Sequence, residues 1–160
     1  MSATPFTFGS LPLAQVAMVV RDIEAAKAKY AQLLGTEIPP TIETAPGSTV
    51  RMTYRGAPSD ARAKLAFFNL PNIQLELIEP IEPESSWHEG LPEHGERLHH
   101  IAWWVEDAAS AQVSLEAVGA TLIHRGDMGE GQYAYFDARE TMGVTIELLE
   151  KQRTELRVSA

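Results

Sequence analysis

Hydrophobic and polar positions fall into a pattern that occurs twice along the chain. In AQVAMVVRD (residues 14–22) and HHIAWWVED (99–107), β-branched and apolar residues run up to an aspartate suited to capping a helix. Behind the first, Ile23, Ala26, Tyr30, Leu33 and Leu34 recur at helical spacing before Gly35; behind the second, Ala108, Ala111, Leu115 and Val118 do so before Gly119. Each helix is followed by three strand-like runs, VRMTYR, KLAFFN and IQLELIE in the first half and TLIHR, QYAYFD and VTIELLE in the second. Both halves are therefore predicted as β-α-β-β-β, an α+β arrangement.

The halves match residue for residue at their ends. Val16 pairs with Ile101, Ala17 with Ala102, Val20 with Val105 and Asp22 with Asp107 at one constant offset, and IQLELIE matches VTIELLE so that Glu76 corresponds to Glu147. The first module is placed at 11–80, the second at 97–150, with a Pro-, Gly- and charge-rich linker at 81–96 and a polar tail at 151–160, all within one domain. Either module alone would leave a sheet half-filled. They must pair, within one chain or by exchange between two.

Strand parity then singles out four polar residues. Gln15 shares a face with Ala17 and Val19, while Val16, Met18 and Val20 face the helix; His100 lies with Ala102 and Trp104, leaving Ile101, Trp103 and Val105 beneath the second helix. Glu76 and Glu147 likewise oppose the apolar residues on either side of them. The same parity puts His99 on the helix-packing face. A carboxylate on a dry face needs a partner, and a divalent cation is one. Taken singly, each of the four also reads as an exposed amide, a rim carboxylate or a satisfied core histidine. Their occurrence at matching points of a repeat makes Gln15, Glu76, His100 and Glu147 a candidate ligand set for one divalent metal, zinc by default, with Co, Ni, Mn or Fe as alternatives.

Composition narrows the choice. The 160 residues, 44% hydrophobic and 22% charged, suit one compact globular unit. With no cysteine, thiolate ligands and disulfides are excluded, and a cytoplasmic setting is suited. The N-terminus lacks a basic segment followed by an apolar stretch, and no apolar run approaches a membrane span, so a soluble protein without a membrane partner is expected. A formal charge of −9 argues against nucleic acid.

The paired segments AQVAMVV and HHIAWWV, closed by IQLELIE and GVTIELLE, resemble the vicinal oxygen chelate superfamily over roughly residues 11 to 150. That superfamily includes glyoxalase I, methylmalonyl-CoA epimerase, extradiol dioxygenases and bleomycin-type resistance proteins. The resemblance implies two βαβββ modules pairing into a curved mixed sheet around a metal cleft, a small-molecule substrate and a homodimer. ERLHHIAWWVED and TMGVTIELLE resemble methylmalonyl-CoA epimerase, whereas Gln15 stands where that family has histidine and Glu76 where it has glutamine. The set Gln15, Glu76, His100 and Glu147 instead resembles that of eukaryotic-type glyoxalase I.

An isomerase or lyase is implied, one that removes a proton next to a carbonyl and stabilises the enolate on the metal. Glu147 is the leading candidate for proton carrier, with Glu76 next; a purely structural role for Glu147 is the alternative. A non-catalytic binder of a small apolar molecule and a ring-cleaving oxygenase are the competing functions. Trp104, Tyr133 and Tyr135 could line a substrate pocket or pack in the core. Arg51, Arg55, Arg62 and Lys64 could clasp an anion or sit on solvated strand edges. Glu43 lies in a stretch resembling an epimerase loop but reads as a surface residue. His88, His94 and His124 read as loop residues, and RGDMGEGQ as a turn or lid.

Overall fold

The computed structural model describes residues 4–89, 91 and 96–151. Strand β1 (Gln15–Val19) runs into helix α1 (Ile23–Leu34), whose first turn is held by Asp22 accepting the Ala25 N–H at 3.0 Å, and which ends where Gly35 turns left-handed at φ 66°. Next come β2 (Ile42–Glu43), a 3-10 turn (Gly47–Val50), the short hairpin β3 (Thr53–Tyr54) and β4 (Ala57–Pro58), then β5 (Arg62–Asn69) and β6 (Gln74–Ile81). The second half repeats the plan with β7 (Arg97–Val105), α2 (Ala108–Ala117), β8 (Thr121–Met128), β9 (Gly131–Ala138), a helical turn α3 (Arg139–Met142) and β10 (Val144–Lys151). Asp107 caps α2 as Asp22 caps α1, accepting from the Ser110 N–H at 3.0 Å.

All strands join one curved mixed sheet in the order β2-β5-β6-β1-β7-β10-β9-β8-β3-β4. The modules meet within this chain, where β1 lies antiparallel to β7, while β6 and β10 run parallel to β1 and β7. VRMTYR departs from the sequence-based expectation. Its Val50 closes the 3-10 turn and its Thr53 and Tyr54 form β3, which pairs not with its own module but with β8 of the other, and the two-residue β2 takes the place expected for it. Residues 44–52 therefore pass from one edge of the sheet to the opposite edge, across the cleft.

The helix-facing sides pack as parity requires. Val20, Leu77 and Phe68 bury against Ile23 and Ala26 of α1, and Val105, Ile146 and Leu148 against Ala111 and Leu115 of α2. Each such large side chain contributes about 1.5–3 kcal/mol on leaving water. A third cluster, of Ala17, Val19, Met52, Ile78, Trp87, Ile123 and Tyr135, backs the cleft. The expected linker does more than connect: Ser85, Ser86 and Trp87 are buried in this wall. Lys151, assigned to the tail, closes β10; residues 152–160, and residues 90 and 92–95 of the linker with His94, lie outside the described residues.

Candidate active site

The four central strands carry one candidate ligand each: Glu76 on β6, Gln15 on β1, His100 on β7 and Glu147 on β10. Register brings them together, because Ala17 sits opposite both Glu76 and His100, while Ala102 sits opposite both Gln15 and Glu147. All four are at most 5% exposed. Gln15, Glu76 and Glu147 form one end of a cavity of about 430 Å³, with His100 buried behind them.

Hydrogen-bond accounting fixes the His100 ring. The Ser86 carbonyl can only accept, so His99 Nε2, at 3.1 Å from it, carries the hydrogen. Burial keeps His99 neutral, leaving its Nδ1 to accept from His100 Nδ1–H at 2.9 Å. His100, lowered by burial to about 3, is neutral too, so its Nε2 is a bare lone pair. That lone pair faces Gln15 Oε1 at 2.9 Å, Glu147 Oε2 at 3.0 Å and Glu76 Oε2 at 3.5 Å. Four atoms that converge in this way are satisfied either by a cation between them or by a hydrogen-bond donor, which the reversed Gln15 amide would supply.

A divalent cation fits that need. Donors bound at 2.0–2.2 Å to one ion stand roughly 2.9–3.5 Å apart, and the Gln15 amide position lies 2.9 Å from His100 Nε2 and 3.1 Å from both glutamate oxygens. Counted over His, Asp and Glu alone, no metal-holding group of three occurs among the described residues; a four-donor set requires the Gln15 amide, which, like His100 Nε2, lies within 3.5 Å of the other three groups. Gln15 Nε2 donates to Gln74 Oε1 at 2.7 Å and Gln74 Nε2 to Asn69 Oδ1 at 2.8 Å, a ladder that aims the Gln15 oxygen inward. Without a cation the opposite amide orientation satisfies the cluster, with nitrogen donating to the carboxylates, and the ladder must turn with it. The carboxyls also respond to burial. It raises Glu147 to about 8, against a smaller lowering by the Tyr135 hydroxyl, and raises Glu76 well above its usual range, with the Glu147 charge adding to the effect.

The remaining walls are apolar and aromatic. Trp104, Tyr133 and Tyr135 all line the cavity, with Val50 and Met52 from the crossing segment; Trp104 is at the rim, 42% exposed, with Lys151 Nζ 5.1 Å above its ring. The basic residues do not face it. Arg51 pairs with Asp127, Arg55 with Glu89, Arg62 with Glu43 and Lys64 with Glu79. None of the four lines the cavity, and neither does Glu43, which is an exposed residue of β2. Of RGDMGEGQ only Gly129 and Glu130 form the turn; the residues on either side belong to β8 and β9.

Two histidines depart from the expectation. A bulge between Ala17 and Met18 on the β1–β7 ladder leaves His99 without a partner and turns it from the helix face toward His100 and Tyr135, whose rings lie 5.1 and 5.2 Å away. A second irregularity, between Leu122 and His124 on the β8–β9 ladder, buries His124 among Trp87, Tyr133 and Tyr135. Strict alternation cannot register either one. The adjacent pair His99–His100 was the available signal for the first bulge.

A profile of the Glyoxalase/Bleomycin resistance protein/Dioxygenase superfamily matches residues 14–136. The chain belongs to this superfamily. It is 30% identical over 146 residues to an ethylmalonyl-CoA/methylmalonyl-CoA epimerase of Cereibacter sphaeroides, covering 85% of this chain and 95% of that one. Solved structures share the fold. A hypothetical protein from Bacillus halodurans superposes with a TM-score of 0.63 at 22% identity, covering 91% of this chain and 97% of its own. A methylmalonyl-CoA epimerase from Mycobacterium tuberculosis superposes at 0.60 with 20% identity, covering 96% and 94%.

Proposed function

We propose that the protein is an isomerase of epimerase type that removes and returns a proton next to a carbonyl, with a divalent cation held by Gln15, Glu76, His100 and Glu147. The observation that carries the reading is the convergence of His100 Nε2 with the Gln15 amide at 2.9 Å and the Glu147 and Glu76 carboxyl oxygens at 3.0 and 3.5 Å. A bound cation, zinc by default with Co, Ni, Mn or Fe as alternatives, would supply Lewis-acid stabilisation of the negative charge that develops on substrate oxygen. Glu147 is the proton carrier. Its carboxylate would take the proton from carbon, and a proton delivered to the opposite face of the enolate would complete the inversion. Glu76 is next in line, and His100, neutral and anchored through His99, is a ligand and no base. Apolar walls keep water from quenching the carbanion.

The relative at 30% identity is named for ethylmalonyl-CoA and methylmalonyl-CoA, so 2-substituted malonyl thioesters are the substrates to test first. The amide–glutamate–histidine–glutamate donor set favours a second reading, a hemithioacetal lyase of glyoxalase type. Elemental analysis, with exchange of the α-proton of methylmalonyl-CoA into deuterium oxide, tests the first. About one metal per chain is expected, lost in His100→Ala, with exchange slowed at least ~100-fold in Glu147→Gln. Bound metal without exchange, together with turnover of the methylglyoxal–glutathione adduct, would shift the assignment to the lyase. If no metal binds after reconstitution with Zn, Mn, Fe, Co and Ni, both enzyme readings fall and a binder of apolar molecules is left.

A further inference from the structure

We propose that the Tyr133 hydroxyl donates a hydrogen bond to an oxygen of the molecule bound in the cleft, aimed there by a one-way relay that starts at Ser86. Ser86 Oγ lies 2.7 Å from His124 Nδ1, and His124 Nε2 lies 3.1 Å from the Tyr133 hydroxyl. Ser86 and His124 are 2% and 1% exposed, so solvent does not complete their hydrogen bonds. Burial keeps the His124 ring neutral, with a single ring hydrogen.

Only two directions are open to such a chain. If Tyr133 donates to Nε2, then Nδ1–H donates to Ser86 Oγ, and the serine hydrogen is left in the interior with no acceptor among the described residues. If Ser86 donates to Nδ1, then Nε2–H donates to the Tyr133 oxygen, and every buried hydrogen has a partner. The second direction is selected because an unmade buried hydrogen bond is costly. It leaves one hydrogen unassigned, that of the Tyr133 phenol, on a residue that lines the cavity.

Tyr135, its neighbour on the same face of β9, makes the contrast. It too receives a buried donor, Trp87 Nε1–H at 3.2 Å, but its own hydroxyl lies close enough to the Glu147 carboxyl to lower that group's pKa. The Tyr133 ring lies over Gly126, its partner in the β8–β9 register. A Cβ at Gly126 would come within 2.8 Å of the phenol oxygen, so the glycine leaves the ring its place. The ligand class is an oxygen acceptor, carbonyl or carboxylate, beyond the oxygens that face Gln15, Glu76 and Glu147. In the proposed carbon-acid chemistry, on which this catalytic role rests, such a donor stabilises charge that forms on oxygen as the proton leaves carbon. Tyr133 is then a catalytic residue, and His124 and Ser86 are positioning residues that act through it.

The direction of the relay is measurable on the protein alone. Long-range 1H–15N spectra of histidine-labelled, metal-free protein should show His124 in the Nε2–H form; the Nδ1–H form would overturn the proposal. With metal-loaded protein and methylmalonyl-CoA, Tyr133→Phe should lower kcat for exchange roughly 100-fold with little change in KM. Ser86→Ala should lower kcat less, at an unchanged KM. Wild-type kcat and KM in Tyr133→Phe would also overturn the proposal. A wild type that binds metal but exchanges nothing sinks the carbon-acid reading and the catalytic role together, while the tautomer measurement still decides the relay.

Discussion

At the residue scale, the paired carboxyls set a pH dependence. Glu147 has an ordinary value of 4.5 and is raised by burial to about 8, so the folded state holds a proton that the unfolded chain gives up. The stability this confers is fully present below about 4.5 and is lost as pH rises through about 8. Between pH 5 and 9 the thermal midpoint of metal-free wild type should therefore fall relative to that of Glu147→Gln, which stays neutral throughout. Parallel curves would count against it. Gly126→Ala gives a second test: overpacking against Tyr133 should cost about 1–3 kcal/mol in urea unfolding and reduce turnover, whereas Gly129→Ala, with open space around its Cβ position but a left-handed φ of 56°, should leave turnover intact. That Gln15, Glu76, His100 and Glu147 share one face of the sheet was legible in the sequence, because strand alternation needs only residue order. The inward positions of His99 and His124, behind the cleft, were not legible, because each depends on a bulge, which is a property of two strands and not of one.

Elements tell the same story at larger separation. VRMTYR has strand propensity, and Thr53 and Tyr54 do form a strand, but propensity carries no information about the partner, which lies across the cleft at Arg125 and His124. The helices were read within a residue or two, since their caps, Asp22, Gly35 and Asp107, are local. The segment 81–96 was read as a linker because prolines and charges hid three buried residues. Trp87 is 3% exposed, donates to Tyr135 and packs its ring 4.7 Å from that of His124. Trp87→Ala should therefore cost about 3–5 kcal/mol, as expected of a core position and unlike an exposed connector, where the change stays within about 0.5 kcal/mol. Denaturant unfolding distinguishes the two.

For the whole molecule, the decisive contact is the seam between β1 and β7. Sequence alone allowed the modules to pair within a chain or across two, since the repeat is the same in either case. Here Gln15 and Glu76 come from the first module and His100 and Glu147 from the second, joined by the antiparallel pairing of Val16 with Ile101 and Ala17 with His100 in one chain. A site built this way is complete in each protomer even if two copies associate, as the superfamily resemblance implies. Two defective variants, Gln15→Ala and Glu147→Ala, unfolded together and refolded as a mixture, should then recover no metal binding or turnover beyond the average of the separate proteins. An arrangement with modules exchanged between chains would instead give heterodimers carrying one wild-type site and one doubly defective site. Recovery of one metal per two chains in the heterodimer, about one per four across a statistical mixture, would overturn in-chain pairing and leave the four-residue donor set itself untouched.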